Sequence, residues 1–298
     1  MNGAPDDLAG TVTWSELLAE ATDRFERAAL EFPAIDARRI VEEATGIEPS
    51  GFHTVLSDRA TVRGVAAFDR MVSRRALGEP LQYVLGRWAF RDLDLMVDSR
   101  VLIPRPETEV VAGLAIDEVV ARSAAGREVL VADLGTGSGA IGLAIASECP
   151  LARVLATDVS AEALAVARAN LAGAGRSARQ VSLHHGSWFD ALPERVRGTI
   201  DVVISNPPYI ADHEELPAVV GDWEPVGALR AGPDGDEDLL AILAGVADWV
   251  SPDGVVVLEM APSQTATVAA QLADRGWHAS IHQDLARRDR AVVARRRS

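Results

Sequence analysis

At 298 residues and 48% hydrophobic content, the chain exceeds an ordinary single domain and can bury a sizeable core, so one large domain with a smaller companion is expected. A formal net charge of −15 argues against an electrostatic grip on nucleic acid, which shows as a basic face, and no direct nucleic-acid binding is expected. All 29 basic residues are arginine, which excludes a P-loop lysine, a Schiff base and a lysine general base, and the single cysteine, Cys149, excludes an intrachain disulfide and a cysteine metal cage.

The first dozen residues are polar, contain Gly and Pro, and read as a frayed end. They carry neither a signal-peptide apolar region nor a run of spanning length, so a soluble, cytoplasmic protein with no membrane partner is expected. Thr13-Trp14-Ser15-Glu16 reads as a capping box, followed by an apolar stripe of Trp14, Leu17, Leu18, Ala21 and Phe25 at helical spacing. Further helical patterns start at Asp36 and Thr61. None of these helices buries its stripe alone, so residues 1–78 are expected to form a small helical bundle, either a partner-docking domain or a stabilising cap.

From Leu81 the period changes to two, with Leu93, Leu95 and Val97 alternating with Asp94 and Met96, and residues 79–101 are expected to form a β-hairpin linker. The run Leu102-Ile103-Pro104-Arg105-Pro106-Glu107-Thr108-Glu109 is stiff and extended, and a helix from Val110 to Val120 begins directly after it.

Residues 102–298 alternate strand and helix. Strand patterns at Glu128 to Ala132, Arg153 to Thr157, Val181 to His184, Ile200 to Ile204 and Gly254 to Leu258 are separated by helical stretches such as Ala161 to Ala172 and Glu237 to Val250. This is the pattern of an α/β, Rossmann-like, doubly wound, mostly parallel sheet, whose ligand site lies at the carboxyl ends of its strands. The closing Arg295-Arg296-Arg297 reads as a solvated tail.

Two motifs sit at those strand ends. Asp133-Leu134-Gly135-Thr136-Gly137-Ser138-Gly139 follows the first strand and opens a helix from Ala140 to Ser147, so backbone N–H groups and a partial positive charge are offered to a ligand. Asp158 ends the second strand, 25 residues after Asp133, where a carboxylate can accept both ribose hydroxyls of a nucleoside-bearing cofactor. Two cofactors fit. With Gly135, Gly137 and Ala140 the turn satisfies a dinucleotide fingerprint, and with Asp133 and Gly139 it is the nucleoside loop of enzymes that use S-adenosyl-L-methionine.

The second motif, Asn206-Pro207-Pro208-Tyr209, stops a buried strand at two prolines, which leaves backbone carbonyls without partners. A side-chain amide, free acceptors and an aromatic face in one rigid corner suit a planar NH2 group, for which a hydride-transfer enzyme has no evident use. Between the two motifs, Trp188 lies just past the third strand, where it either stacks on an adenine or fills the core.

Asp133 to Gly139, Asn206 to Tyr209, Leu102 to Glu109 and Glu79-Pro80-Leu81-Gln82-Tyr83 together resemble the HemK-type release-factor glutamine methyltransferases, a class I S-adenosylmethionine-dependent family. Glu224-Pro225, Ala228-Leu229 and Asp284 to Arg290 are similar as well, so the likeness runs from residue 79 to the C-terminus. The run Pro104 to Glu109 separates this group from the related ribosomal-protein glutamine methyltransferases. Asp234-Gly235-Asp236 departs from the family, which usually has leucine after the glycine, and the seating of that loop is left open.

The resemblance implies the class I methyltransferase fold with an N-terminal helical domain. It also implies methyl transfer from S-adenosyl-L-methionine to the glutamine amide nitrogen in the Gly-Gly-Gln loop of peptide chain release factors. In that reading Asn206 and the Pro207 carbonyl each accept one amide N–H, Tyr209 stacks on the amide plane, and Pro208 keeps the corner rigid. Asp133, Gly135, Thr136, Gly137, Ser138, Gly139, Asp158, Trp188 and Asn206 surround the cofactor, no metal is needed, and a monomer is expected. Alternatives stay open: a DNA or RNA adenine amino-methyltransferase acting on a flipped base, glutamine methylation of another protein such as a ribosomal protein, and a non-catalytic module that keeps the fold. His184, His185 and His213 read as structural or solvated, and Arg105 and Glu107 either face the site entrance or brace the domain junction.

Overall fold

The structure, a computed structural model, describes residues 9–296, with nothing stated for the side chains of residues 9–11. The frayed reading of the N-terminus therefore lies in part outside the described residues, while Ala9–Thr13 forms a strand, β1. The chain divides into two units, one of residues up to 86 with 217–223 and one of residues 87–216 with 224–298.

In the first unit, Thr13 caps α1 (Trp14–Arg27): its Oγ1 accepts from Glu16 N at 3.3 Å, and Glu16 Oε2 accepts from Thr13 N at 2.7 Å. Trp14, Leu17, Ala21 and Phe25 are buried against α2 (Pro33–Thr45) and α4 (Val62–Ala76), with α3 (Phe52–Val55) and β2 (Arg59–Thr61) between these two helices. Helix α2 begins at Pro33, three residues before the pattern from Asp36, because proline at the first helical position has its φ already set. Asp36 and Arg75 form a buried ion pair between α2 and α4 at 2.7 Å. The period-two reading from Leu81 is corrected: Leu81–Leu85 is a short helix, α5, which buries Leu81 and Val84 at i and i+3 and ends at Gly86.

The second unit opens with the hairpin β3 (Arg87–Phe90) and β4 (Leu93–Met96), then α6 (Pro106–Ser123). The alternation follows as β5 (Val129–Leu134), α7 (Ala140–Glu148), β6 (Ala152–Asp158), α8 (Ala161–Gly173), β7 (Val181–His185) and β8 (Ile200–Ser205). After α9 (Ala218–Gly221), which groups with the first unit, come α10 (Glu237–Trp249), β9 (Val250–Glu259), α11 (Thr265–Asp274), β10 (Trp277–Gln283) and β11 (Asp289–Arg296).

Strands β5 to β11 form one seven-stranded sheet in the order β10-β11-β9-β8-β5-β6-β7, parallel except for β11, which is antiparallel to both its neighbours. Apolar clusters cover both faces, as the near-continuous Val, Ile and Leu strands require. This is the doubly wound, mostly parallel α/β fold. The chain runs outward from β5 to β7 and returns to β8 on the other side of β5, so the order reverses between β5 and β8. Leu134 pairs with Ser205 in that register, so the glycine turn and the Asn206 corner leave neighbouring strands side by side.

The tail reading of the last arginines is corrected for Arg295 and Arg296, which belong to β11; Arg297 lies outside the described residues. Arg295 pairs with Glu118, and Arg296 donates to the Val250 and Ala247 carbonyls while its guanidinium lies 5.5 Å from the Trp277 ring centroid. Among the described residues no helix is long and apolar enough to cross a membrane.

Candidate active site

The glycine turn leaves β5 with Gly135 at φ 73°, and a Cβ there would meet the Trp188 ring at 3.2 Å. A side chain there would be strained by the backbone conformation and tight against the indole. Asp133 props the turn from behind: its Oδ2 accepts from Thr136 Oγ1 at 2.6 Å and from Gly142 N at 2.9 Å, while its Oδ1 has no partner among the described residues. Full burial pushes this carboxyl up to about 6, against those two bonds. Thr136 N donates to Thr157 O at 2.8 Å, and Asn170 Nδ2 donates to Ser138 O at 2.8 Å, so the turn is held from two further sides.

Asp158 accepts Gly137 N on Oδ2 and Ser160 N on Oδ1, both at 2.8 Å. Burial raises its pKa while these backbone donors favour the charged form. Each oxygen keeps a second lone pair, enough to accept a pair of vicinal hydroxyls.

On β8, Ser205 Oγ donates to Leu134 O at 2.6 Å, tying the two strand ends together. Asn206 Nδ2 donates to Thr108 Oγ1 at 3.1 Å, which turns the amide oxygen away from Thr108. Among the described residues no donor meets the Pro207 carbonyl. The Tyr209 phenol is half-buried and pushed up to about 12 by burial and by the nearby Glu259 carboxyl. Beyond it, Ile210 bridges to Arg230, and Gly235, at φ 73°, lies under this loop, where a Cβ would stand 2.7 Å from Ala211 N and 2.8 Å from Tyr209 O. The Asp234-Gly235-Asp236 loop is therefore the floor beneath the corner.

A cavity of about 490 Å³ joins the two motifs. Gly135, Thr136, Gly137, Ser138, Asp158, Trp188, Asn206 and Pro208 line it; Asp133, Gly139, Pro207 and Tyr209 do not. Trp188 is half-buried, sits in the left-handed region at φ 42°, and packs against one apolar cluster while lining the cavity, so it serves wall and core at once. Val101, Leu102, Pro104 and Thr108 add a wall from the segment before and into α6, and Pro225 and Ala228 add another. These two walls are bolted together by Glu224, which accepts Ile103 N at 3.1 Å and pairs with Arg105. His184, His185 and His213 do not line the cavity.

Three residues carry weight here that sequence reasoning left without a role: Thr108, Glu224 and Glu259. Glu259 ends β9 beside the corner, fully buried, with no hydrogen bond from any described residue to either carboxylate oxygen. Burial pushes it up to about 7; the Thr108 hydroxyl opposes the rise without reaching hydrogen-bond geometry. An acid closing the apolar run Val255 to Leu258 was the available signal.

Residues 16–86 match the PrmC N-terminal domain family, and residues 118–222 match the Methyltransferase small domain family. A release factor glutamine methyltransferase of Rhodopirellula baltica is 36% identical over 286 residues, covering 94% of this chain and 95% of the relative. One of Streptomyces coelicolor is 38% identical over 283 residues, covering 94% and 96%. Among solved structures, a methyltransferase from Pyrococcus furiosus shares the fold with a TM-score of 0.50 at 18% identity, covering 76% of this chain and 96% of that one.

Proposed function

The chain belongs to the release factor glutamine methyltransferase family, and from that premise we propose that it methylates the side-chain amide nitrogen of the glutamine in the Gly-Gly-Gln loop of peptide chain release factors. The observation that carries this reading is the pairing of an Asn206 amide turned by Thr108 with a Pro207 carbonyl that no donor among the described residues meets, beside a cavity that the glycine turn also lines. An amide nitrogen shares its lone pair with its carbonyl and is a weak nucleophile, so positioning must supply most of the acceleration. Asn206 Oδ1 and the Pro207 carbonyl accept one N–H each, orient the nitrogen, and stabilise the positive charge that grows on it before a proton leaves. Tyr209 stacks on the amide plane, and Pro208 holds the corner rigid.

The cofactor that fits is S-adenosyl-L-methionine. Asp158 has lone pairs left for ribose hydroxyls, Gly137 lines the cavity with open space where a Cβ would stand, and Trp188 offers an aromatic wall. Asp133 and Gly139 act on the site through the turn they shape. When bound, this cofactor supplies an already activated methyl group on a sulfonium, so the protein needs no strong general base.

Residues 1–78 are assigned to substrate docking, 79–101 to the linker and 102–298 to the methyltransferase domain, in a cytoplasmic monomer. The test is methyl-labelled cofactor with purified release factor, intact or with its Gly-Gly-Gln glutamine replaced, and duplex DNA in parallel. Label that depends on that glutamine is expected. Label on DNA, or label indifferent to the glutamine, overturns the assignment.

A further inference from the structure

We infer that Glu259 is a positioning residue for the transfer: through the Thr108 hydroxyl it sets which end of the Asn206 amide faces the cavity. This rests on the proposed role of Asn206 as an acceptor. A side-chain amide carries a donor at one end and an acceptor at the other, and only the acceptor end can hold a substrate N–H. Asn206 Nδ2 meets Thr108 Oγ1 at 3.1 Å, but a hydroxyl accepts as readily as it donates, so Thr108 alone would tolerate either orientation of the amide. Something must claim the hydroxyl hydrogen. Glu259 is the acceptor next to it, fully buried, with both carboxylate oxygens unpartnered among the described residues. An ionised Glu259 can only accept, so in this reading it draws the Thr108 hydrogen toward itself, short of a formed hydrogen bond in the structure, and leaves the Thr108 lone pair for Asn206 Nδ2. The Asn206 oxygen is left for the substrate.

A fully buried acid without a hydrogen bond costs stability, and an apolar residue ending β9 would avoid that cost; its presence beside the corner fits a functional demand. Around it stand Arg105, Glu107 and Thr108 at the start of α6, Tyr209 past β8, and Arg290 on β11. Arg290 is directed elsewhere, to the Met260 carbonyl at 3.5 Å and to Asp284 at 3.5 Å, and leaves Glu259 unpaired. With burial holding the carboxyl at about 7, protonation below that pH lets Glu259 donate to Thr108, releases the hydroxyl to donate to Asn206, and favours the flipped amide.

The experiment is steady-state methylation of release factor by the full chain and by the Glu259→Gln, Thr108→Val and Thr108→Ser variants, between about pH 5.5 and 8.5, with cofactor affinity by calorimetry and thermal unfolding beside it. Wild-type kcat should fall roughly tenfold below an apparent pKa of about 7. Glu259→Gln should lose that limb and roughly tenfold in kcat, with cofactor affinity unchanged. Thr108→Val should lose roughly tenfold to a hundredfold, and Thr108→Ser should recover it. A wild-type pH profile and kcat in Glu259→Gln overturn the inference. If that variant does not fold, equal kcat in Thr108→Val and Thr108→Ser overturns it instead. A wild-type enzyme inactive on release factor at every pH would overturn the substrate assignment and this inference together.

Discussion

Arg105 and Glu224 form an ion pair across 119 positions of sequence, and the Glu224 side chain in it is only 1% exposed. Glu224 also accepts the Ile103 N–H, so one carboxylate joins the two walls that line the cavity through Pro104 and Pro225. Glu224→Ala should lower stability by about 1–3 kcal/mol, since it leaves a buried N–H and a part-buried guanidinium without their acceptor. Glu224→Gln should keep part of that, because it can still accept from Ile103. Thermal unfolding of the two variants checks this; an unchanged midpoint in Glu224→Ala would remove the bolt.

Asn206→Ala should lower turnover by roughly a hundredfold or more, the usual scale for losing one preorganised contact to developing charge. Cofactor affinity should largely survive, because the glycine turn and Asp158 are untouched. Full activity in this variant would end the proposed mechanism.

Asp158→Ala should weaken cofactor binding by about 1.5–3 kcal/mol, toward the upper end because Gly137 N and Ser160 N lose their acceptor too and the turn loosens. Calorimetry with S-adenosyl-L-methionine measures it, and unchanged affinity would place the ribose elsewhere.

Gly235→Ala should destabilise the fold by about 1–3 kcal/mol and reduce turnover together. The new Cβ would stand 2.7 Å from Ala211 N on a backbone at φ 73°, so the chain from Tyr209 to Ala211 must move. Denaturant titration and steady-state rates on one preparation test it; normal turnover would free the corner from its floor.

Stability should also report on Glu259. Its carboxyl is held at about 7 in the folded chain against an ordinary value of 4.5, so the folded state keeps a proton that the unfolded chain releases. Its contribution is therefore most favourable below about pH 4.5 and is lost as pH rises to about 7; Asp133, at about 6, acts in the same direction. Glu259→Gln removes the larger part, so its unfolding temperature relative to wild type should climb across that window. A constant difference between pH 5 and pH 8 would contradict the raised pKa.

Much of the fold was legible because its signals are local. The Thr13 and Glu16 capping box, the apolar strands and the glycines at the end of β5 each act within a few residues, so spacing reveals them. Where tertiary burial overrode local pattern, the reading slipped. Leu81 begins a helical turn because its stripe is buried in the first unit, and β11 with its arginines is ordered because β9 offers an edge to pair with.

What the sequence determined by itself was the chemistry on offer: acceptors at Asn206 and Pro207, a glycine turn after Asp133, and a carboxylate at Asp158, each declared by residue type and position in a strand–turn unit. Only the tertiary structure decided how these meet. The Leu134–Ser205 register puts the two motifs side by side, Thr108 reaches Asn206 from 98 positions away, and Glu259 ends its strand buried next to both. A hydrogen bond between distant segments leaves no periodicity in sequence, so the direction in which the Asn206 amide points had to come from the fold.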